Sequence, residues 1–575
     1  MKMRSKAPSI KNISKSLLSK YLSVAIIFAA SILIFSKNIP ILAADMTDIR
    51  IGLVDLYKDK SSIMVYNSRI ALGFCVGNSY SAEIELDSTT GFSFTPDKGT
   101  YYEDINNYPS YQKALSICGT YEAGGAKAFP VYAGTGCWKC YITAASYNNL
   151  ASGNQNNTTY QQQNNSTYQQ QNNNIDQQKS NDSNQKNNLT TDLRKKENTA
   201  YLVKIAGQNG TLLVDGEAAG GFPQIKALNP TDGIYSVNLG TRSYRGRIEI
   251  GRYNAASTLT AVNILNIESY LLGVVTCEMQ KTWPEEALKA QAVCSRSYAY
   301  LRCGFGADSN IKSPYNVVDT TASQVYRGVQ GESPQSHEAV NATIGQIVTS
   351  KGKPIDAFFF STSGGATDSI MDIWGIKSQA YTGVFDFYEN DPEKKPWAYD
   401  FTIEQATAKI NDAGYDIGTL KSIEPFILTE SGRVYKAKIR GTKKTVTVSG
   451  SKLRNIFGLS DTKLRIITSK SKADNVYLQG ADSTVQTKLK DCYVITANGT
   501  VKLSDDKAQY ILISDRNFYN VPESLPAEGI IRIIGMGWGH GVGMSQSGAM
   551  GMAKKGYDYK EIIAYYYINA EVGEY

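Results

Sequence analysis

Apolar and polar residues alternate with a period of two in two separate parts of this 575-residue chain. The alternation occurs at residues 81–86 and 128–132, and again at residues 201–205, 247–250 and 259–262. Successive side chains of a strand point to opposite faces, so this pattern predicts β-strands with one buried face. The chain is therefore expected to contain two β-rich parts.

A helical pattern follows the second group of strands. Pro284 suits a first helical position, and Glu285 and Glu286 suit the first turn, where the helix dipole favours acidic side chains. Small, mostly apolar residues then recur at spacings of three and four, which predicts a long helix with a buried face. A last helix is predicted at 559–567, and the fold class is α+β. The stripe on the long helix consists of Ala287, Ala290, Cys294, Ser297 and Leu301.

Composition divides the chain. Between Asn154 and Asn174, 15 of 21 residues are Asn or Gln, and an eight-residue unit repeats once. Such a segment offers too few apolar groups to offset the entropy of ordering, so we expect a linker at 152–198. It separates a small β-rich accessory domain at 46–151 from an α+β domain at 199–575.

The first 44 residues predict export. They contain seven basic residues and no acidic one, then an apolar run and the small residues Ala43 and Ala44, which is typical of a secretory signal peptide. An uncleaved anchor is the alternative. Either way, the rest of the chain is expected outside the cytoplasmic membrane, in the cell wall or on the extracellular face of that membrane.

The basic N-terminus also explains the net charge of +7. Taking its seven basic residues from the total of 60 leaves 53 basic against 53 acidic residues. A protein that neutralises phosphates needs an excess of basic residues in its folded part, so nucleic acid is not expected as a partner.

Eight cysteines are too sparse for a disulfide scaffold in a chain of this length. Cys137 and Cys140 have the spacing of a zinc or redox pair, but a second pair is missing and the two histidines, His337 and His540, lie far away in sequence. We therefore expect no metal and no cofactor.

Three runs carry candidate chemistry. Gly occupies every second position from Gly535 to Gly543, which in a strand would leave one bare backbone face against a packed element or a polymer. Residues 359–368 combine hydroxyl groups with Gly364 and Gly365 and could bind a polar ligand or form a plain turn. Glu278 follows an apolar run, and burial there would raise its pKa and suit it to general acid catalysis; a solvated loop carboxylate is the alternative.

The residues of these runs and their order along the chain resemble the SpoIID/LytB family of cell-wall proteins, which includes stage II sporulation protein D and the amidase enhancers. The resemblance covers residues 200–575. The matching segments are Tyr244-Arg-Gly246, Tyr270-Leu-Leu-Gly-Val-Val, Glu278-Met279, Trp283-Pro-Glu-Glu-Ala-Leu-Lys-Ala-Gln-Ala292, Arg296-Ser-Tyr298, Gln324-Val-Tyr326, Ser361-Thr-Ser-Gly-Gly365, Gly537-Trp-Gly-His-Gly-Val-Gly-Met-Ser-Gln546 and Tyr565-Tyr566.

The resemblance implies a lytic transglycosylase that cleaves peptidoglycan glycan strands after MurNAc, on strands that an amidase has stripped of stem peptides. Glu278 matches the family's catalytic acid, which protonates the glycosidic oxygen and then accepts the proton of the MurNAc C6 hydroxyl. A hydrolase would need a second carboxylate, and the matched segments offer only Glu285, Glu286 and Asp368. Residues that would hold the sugar or orient Glu278 are Gln291, Arg296, Gln324, Tyr326, Ser361, Ser363, His540 and Gln546.

The chain departs from the family pattern in a few places. Some sporulation members carry a Cys/His zinc cluster, but residues 308–323 contain neither residue type. Gln280 replaces the usual Pro after Glu-Met, which leaves the turn after Glu278 less rigid. The accessory domain lies outside the resemblance and could bind the wall, in the manner of a SPOR-type module.

Two other functions stay open. A non-catalytic activator would present glycan strands to a partner amidase. A cysteine peptidase or amidase would use Cys277 or Cys294 with His337 or His540. The sequence leaves open whether the protein acts in sporulation or in vegetative wall turnover.

Overall fold

The computed structural model describes residues 48–76, 79–134, 136–156, 193–196, 199, 201–208, 210–219, 221–253, 256–305, 314–389, 396–469 and 526–575, with six short strands between 475 and 520. The export signal predicted at 1–44 and most of the Asn/Gln-rich segment lie outside the described residues. No helix in the described ranges is long and apolar enough to cross a membrane.

The fold is α+β, as the hydrophobic pattern predicts, and strands dominate it. The strands, in chain order, are β1 (Ile49–Gly52), β2 (Ile63–Val65), β3 (Arg69–Val76), β4 (Ser79–Asp87), β5 (Phe92–Pro96), β6 (Tyr101–Asp104), β7 (Ala128–Tyr132), β8 (Trp138–Thr143), β9 (Leu193–Lys195), β10 (Leu202–Gly207), β11 (Gly210–Asp215), β12 (Gln224–Ala227), β13 (Ser236–Asn238), β14 (Ser243–Arg245), β15 (Arg247–Gly251), β16 (Thr260–Leu265), β17 (Val317–Val318), β18 (Gln346–Ser350), β19 (Lys353–Pro354), β20 (Phe359–Phe360), β21 (Trp397–Thr402), β22 (Leu420–Leu428), β23 (Val434–Gly441), β24 (Thr445–Ser449), β25 (Leu464–Thr468), β26 (Asn475–Gln479), β27 (Thr484–Lys488), β28 (Tyr493–Thr496), β29 (Gly499–Lys502), β30 (Ile511–Ser514), β31 (Asn517–Asn520), β32 (Ile530–Gly535), β33 (Met544–Ser545) and β34 (Glu571–Glu574).

The helices are mostly short. They are α1 (Tyr111–Ala123), α2 (Ala144–Asn156), α3 (Ile267–Leu272), α4 (Val275–Glu278), α5 (Glu285–Tyr300), α6 (Pro334–Ala342), α7 (Ile370–Trp374), α8 (Ile403–Asp412), α9 (Gly450–Phe457), α10 (Gln546–Lys554) and α11 (Tyr559–Tyr566), with a π-helical turn at Leu301–Phe305 and a 3-10 turn at Gly328–Gly331.

The first β-rich part does not form sheets of its own. A seven-stranded sheet has the order β17-β1-β16-β15-β12-β3-β4, and an eight-stranded sheet has the order β2-β5-β10-β11-β7-β8-β6-β9. Both sheets mix strands from before and after the Asn/Gln-rich segment; β1 pairs with β16, for example, and β5 with β10. The separation of 46–151 from 199–575 is therefore corrected, because strands that share backbone hydrogen bonds and a core belong to one folded unit.

The linker boundaries change for the same reason. Helix α2 continues to Asn156, and β9 at Leu193–Lys195 pairs with β6, so both ends of the predicted 152–198 linker belong to regular elements. Strands β6 to β9 with α1 and α2 form a β-α-β-β-α-β unit of spatial order β7-β8-β6-β9. The SPOR-type, wall-binding role of this region stays a prediction.

The long helix predicted from the small-residue stripe is confirmed as α5. It begins after Pro284, carries Glu285 and Glu286 in its first turn, and is buried along most of its length. It contacts α3, α6, α10, α11 and β18, which its small side chains allow to approach closely. Helix α5 is the central support of the region that follows the two large sheets.

Candidate functional site

Glu278 is the last residue of the short helix α4, and residues 279–284 connect it to α5. Met279 leaves the helix in extended conformation, with φ −121° and ψ 149°, so the chain turns away at this point. The backbone N–H of Val325 donates a hydrogen bond of 2.6 Å to Glu278 Oε1. The carboxyl group is therefore held by a neighbouring segment and not only by its own helix.

Burial raises the pKa of Glu278 to about 7. The hydrogen bonds from the Val325 amide and from the Gln546 side chain act in the opposite direction, because both stabilise the carboxylate. A pKa near neutrality makes both protonation states accessible at ordinary pH, as a group that first donates and then accepts a proton requires.

Glu278 lines a cavity of about 490 Å³. The cavity lies where the residues after α5 meet the 358–361 segment, α9 and the Gly-rich run. Its lining consists of Glu278, Tyr298, Thr321, Ala322, Ser323, Phe358, Phe359, Phe360, Ser361, Trp374, Arg454, Trp538, Gly539, His540 and Gln546. The predicted site residues Glu278, Ser361, His540 and Gln546 are thus brought together, although Glu278 and Gln546 lie 268 positions apart in sequence.

A chain of amide side chains runs from the cavity into the core. Gln546 Nε2 donates to Gln291 Oε1 at 3.2 Å, and Gln291 Nε2 donates to Ser295 Oγ at 2.9 Å. Gln291 is fully buried, so it cannot contact a ligand; its contact with Gln546 instead orients the Gln546 side chain. Gln324 is also fully buried, where its Oε1 accepts a hydrogen bond from Tyr270.

His540 lies among aromatic rings at the cavity wall. Its ring centroid is 5.1 Å from that of Trp374 and 5.4 Å from that of Phe360. Burial, together with the positive charges of Arg454 and Arg433, lowers the pKa of His540 to about 3, so the imidazole is neutral at physiological pH. Its Nδ1 accepts a hydrogen bond of 3.1 Å from the backbone N–H of Val542, which fixes the ring in the cavity wall. Because the ring is neutral, it does not act as the general acid.

The alternating glycines do not form the predicted strand. Gly537, Gly539, Gly541 and Gly543 all have positive φ, between 80° and 135°, which L side chains rarely adopt. A side chain at Gly539 would also meet Phe360, and one at Gly543 would meet the carbonyl of Phe358. The expectation of a closely packed bare backbone is confirmed, but as an irregular segment that joins β32 to β33.

Besides Gln291 and Gln324, three more of the predicted sugar-binding residues do not line the cavity. Arg296 is fully buried and donates to both oxygens of Glu268 at 2.7 Å. Tyr326 is buried and its hydroxyl donates to Asn263 at 2.8 Å. Ser363 is buried and its hydroxyl donates to Glu389. These side chains stabilise the framework, which corrects the role we expected of them.

The other acidic candidates are also occupied elsewhere. Glu285 and Glu286 form ion pairs with Lys289 at 2.7 and 2.8 Å. Asp368 is buried against Arg433, at 3.1 Å. Glu278 is consequently the one carboxylate among the described residues that line the cavity.

Sequence reasoning missed an acidic pair behind the Ser-Gly-Gly loop. Asp386 is buried and accepts a hydrogen bond from Tyr566 at 2.8 Å, and Glu389 accepts the amide of Ser363 at 2.9 Å. Burial raises the pKa of both groups, and Asp386 adds to the rise for Glu389, which reaches about 7. They lie between two matched segments, after Ser361–Gly365 and before Gly537–Gln546, so no motif spacing could have found them.

The two candidate nucleophiles, Cys277 and Cys294, lack the features of a reactive cysteine. Burial raises the pKa of the Cys277 thiol to about 11 and that of Cys294 to about 12. Cys294 Sγ contacts the hydroxyl of Tyr567 at 3.5 Å, and His337 pairs with Glu332 at 2.9 Å. The arrangement does not support a cysteine peptidase, because activation requires a lowered thiol pKa or an adjacent base. Within the described ranges, no group of three or more His, Cys, Asp or Glu residues could hold a metal ion.

Comparison with known proteins agrees with the motif pattern. The family model "SpoIID: Stage II sporulation protein" matches residues 255–350, which include α3 to α6 and Glu278. An uncharacterized protein of Brachyspira hyodysenteriae is 31% identical over 335 residues, which are 58% of this chain and 73% of that protein. The amidase enhancer of Bacillus subtilis is 28% identical over 53% of this chain and 40% of its own length, and stage II sporulation protein D of the same organism is 27% identical over 55% of this chain and 76% of its own. The chain belongs to the SpoIID/LytB family of cell-wall proteins.

Proposed function

We propose that this protein is a peptidoglycan lytic transglycosylase that acts outside the cytoplasmic membrane and forms 1,6-anhydro-MurNAc ends. The observation that carries the proposal is a single carboxyl group, Glu278, with a pKa of about 7 in a cavity of about 490 Å³. The export signal predicted at 1–44 supports the location.

One carboxyl group is sufficient for this reaction. Protonated Glu278 donates its proton to the glycosidic oxygen as the bond from that oxygen to C1 of MurNAc breaks. The resulting carboxylate then takes the proton of the MurNAc C6 hydroxyl, whose oxygen forms the new bond to C1. The Val325 amide and Gln546 stabilise the carboxylate between these steps, and Glu278 ends protonated again.

Hydrolysis would require a different site. Glycosidases that use water place a second carboxylate at a set distance from the acid. Among the described lining residues no such group accompanies Glu278. The geometry therefore favours intramolecular attack over attack by water.

The test is mass spectrometry of the products released from purified peptidoglycan, both intact and stripped by an amidase. The full chain is expected to release products that end in 1,6-anhydro-MurNAc, and Glu278→Gln is expected to release none. Reducing-end products from the full chain would contradict the proposal and indicate a hydrolase.

A second function is favoured by one observation, the similarity to the Bacillus subtilis amidase enhancer. In that case the cavity would hold a glycan strand for a partner amidase without cutting it. Absence of products from both substrates, with binding to glycan retained and a rise in the rate of an added N-acetylmuramoyl-L-alanine amidase, would establish this activator role.

A further inference from the structure

A cation without a carboxylate partner lines the same cavity as Glu278. Arg454 lies on α9, and its Nε donates to the carbonyl of Leu459 at 3.1 Å. Within the described ranges it forms no ion pair with Asp or Glu, whereas Arg296 and Arg433 are both paired. It is half-buried, and it is the only Arg or Lys among the described lining residues.

No other charged side chain among the described lining residues neutralises this charge when Glu278 is protonated. His540 is neutral, and Arg454 itself is one of the causes of its low pKa, so the guanidinium acts directly on the cavity wall. Glu278 carries no charge when it is ready to donate its proton. The cavity in its reactive state therefore presents one net positive charge to a ligand.

The walls of the cavity suit a sugar. Trp374 and Trp538 are 39% and 51% exposed, so both indole rings are accessible at the cavity. Exposed indole rings can pack against the apolar faces of pyranose rings, while an adjacent guanidinium binds a carboxylate through two parallel hydrogen bonds. The combination fits an amino sugar that carries an anionic substituent.

A glycan strand offers such a substituent in one state only. The lactyl group on O3 of MurNAc ends in an amide while a stem peptide is attached, and in a free carboxylate once an amidase has removed the peptide. We propose that Arg454 binds this lactyl carboxylate and thereby selects MurNAc residues without stem peptides. The proposal rests on the proposed function, since it assumes that the cavity holds the glycan strand.

The test compares binding of two ligands that differ only in this charge. The ligands are amidase-stripped glycan strands and the same strands after the lactyl carboxyl groups have been converted to methylamides. Both are measured by calorimetry on full chains that carry Glu278→Gln, so that nothing is cut. Arg454→Gln in this background is expected to weaken binding of stripped strands by about 10-fold to 100-fold, since bonds to charged groups are worth that much, and to leave binding of the methylamide unchanged.

Two further variants separate a binding role from a structural one. Arg454→Lys keeps the charge and is expected to recover part of the preference for stripped strands. Lys452→Gln removes a positive charge two residues away on α9, outside the cavity lining, and is expected to change neither affinity. Equal weakening of both ligands by Arg454→Gln, or an unchanged preference for stripped strands, would overturn the proposal.

This test is independent of cleavage. If the chain with Glu278 intact cuts neither substrate but the charge preference depends on Arg454, the lytic function fails while the binding assignment stands. If the chain produces anhydro ends and Arg454→Gln keeps its preference for stripped strands, the lytic function stands and the role of Arg454 is wrong.

Discussion

Two regions of this protein bury carboxylates and use them in opposite ways. Around Arg433, the side chains of Asp368 and Asp461 accept hydrogen bonds from a fully buried guanidinium, at 3.1 and 2.9 Å. In the cavity, Glu278 accepts hydrogen bonds from the Val325 backbone amide and the Gln546 side chain. No cation among the described residues lies within ion-pair distance of it.

The difference shows what decides the protonation state. Burial opposes the charge of Arg433, but Asp461 and Asp368 outweigh that effect and raise its pKa. Burial without a cation instead raises the pKa of Glu278 to about 7. A buried carboxylate with a cation serves the framework, and one without a cation can hold a transferable proton.

Removing the unpaired carboxyl group should have the largest effect. Glu278→Gln is expected to lower the rate of anhydro-product release by about 10³-fold, since no other carboxylate described in the cavity can replace it. The rate is measured by mass spectrometry of released products. Glu285→Gln, whose parent side chain is 58% exposed on α5, is the matched control and should retain full activity. Comparable losses in both variants would show that Glu278 is not the acid.

Removing the cation from the other region should affect stability. Arg433→Met leaves Asp368 and Asp461 buried without their partner, which we expect to cost about 3–5 kcal/mol or prevent folding. Denaturant unfolding followed by circular dichroism measures this. Arg440→Met breaks an exposed pair with Glu424, where both side chains are 46% exposed, and should cost less than about 1 kcal/mol. A similar cost for both variants would contradict the distinction.

The pH dependence of activity tests the protonation state of Glu278 directly. Its pKa is raised in the folded protein, so the protonated acid predominates below about pH 7 and is lost above it. The value of kcat/KM is expected to fall about 10-fold per pH unit above about pH 7. A rate that stays constant to pH 9 would mean that the group is not the proton donor.

The smallest effect concerns Gln546. Its hydrogen bond stabilises the Glu278 carboxylate, so Gln546→Met should raise the pKa of Glu278 further. The falling limb of kcat/KM should move to higher pH by about half a unit, whatever happens to the absolute rate. A shift to lower pH would show that the amide instead favours the protonated acid.

Much of the framework was readable from local patterns. The stripe of small residues predicted α5 because a helix brings residues three and four apart onto one face, and the first-turn acids marked its start. Short alternating runs predicted β10, β15 and β16 for the same kind of reason. Helix and strand periodicities depend on residues that are close in sequence, so they can be predicted without knowledge of the fold.

Sheet pairing was not readable in this way. The alternation that predicts a strand says nothing about its partner, and β1 pairs with β16 although the paired residues lie 210 to 216 positions apart in sequence. The change in composition at the Asn/Gln-rich segment therefore suggested a domain boundary, but both large sheets contain strands from either side of that segment.

Residue types and motif order were sufficient to indicate an α+β fold, the family and Glu278 as the candidate acid. Each of these three conclusions depends on the local sequence and on the chemistry of single side chains. Only the tertiary structure separated the residues that line the cavity from those that support it. Arg296, Tyr326 and Ser363 read as polar candidates in the sequence, but burial and hydrogen-bond partners from distant segments place them in the framework. Trp374 and Arg454 read as ordinary residues, and long-range packing brings them beside Glu278.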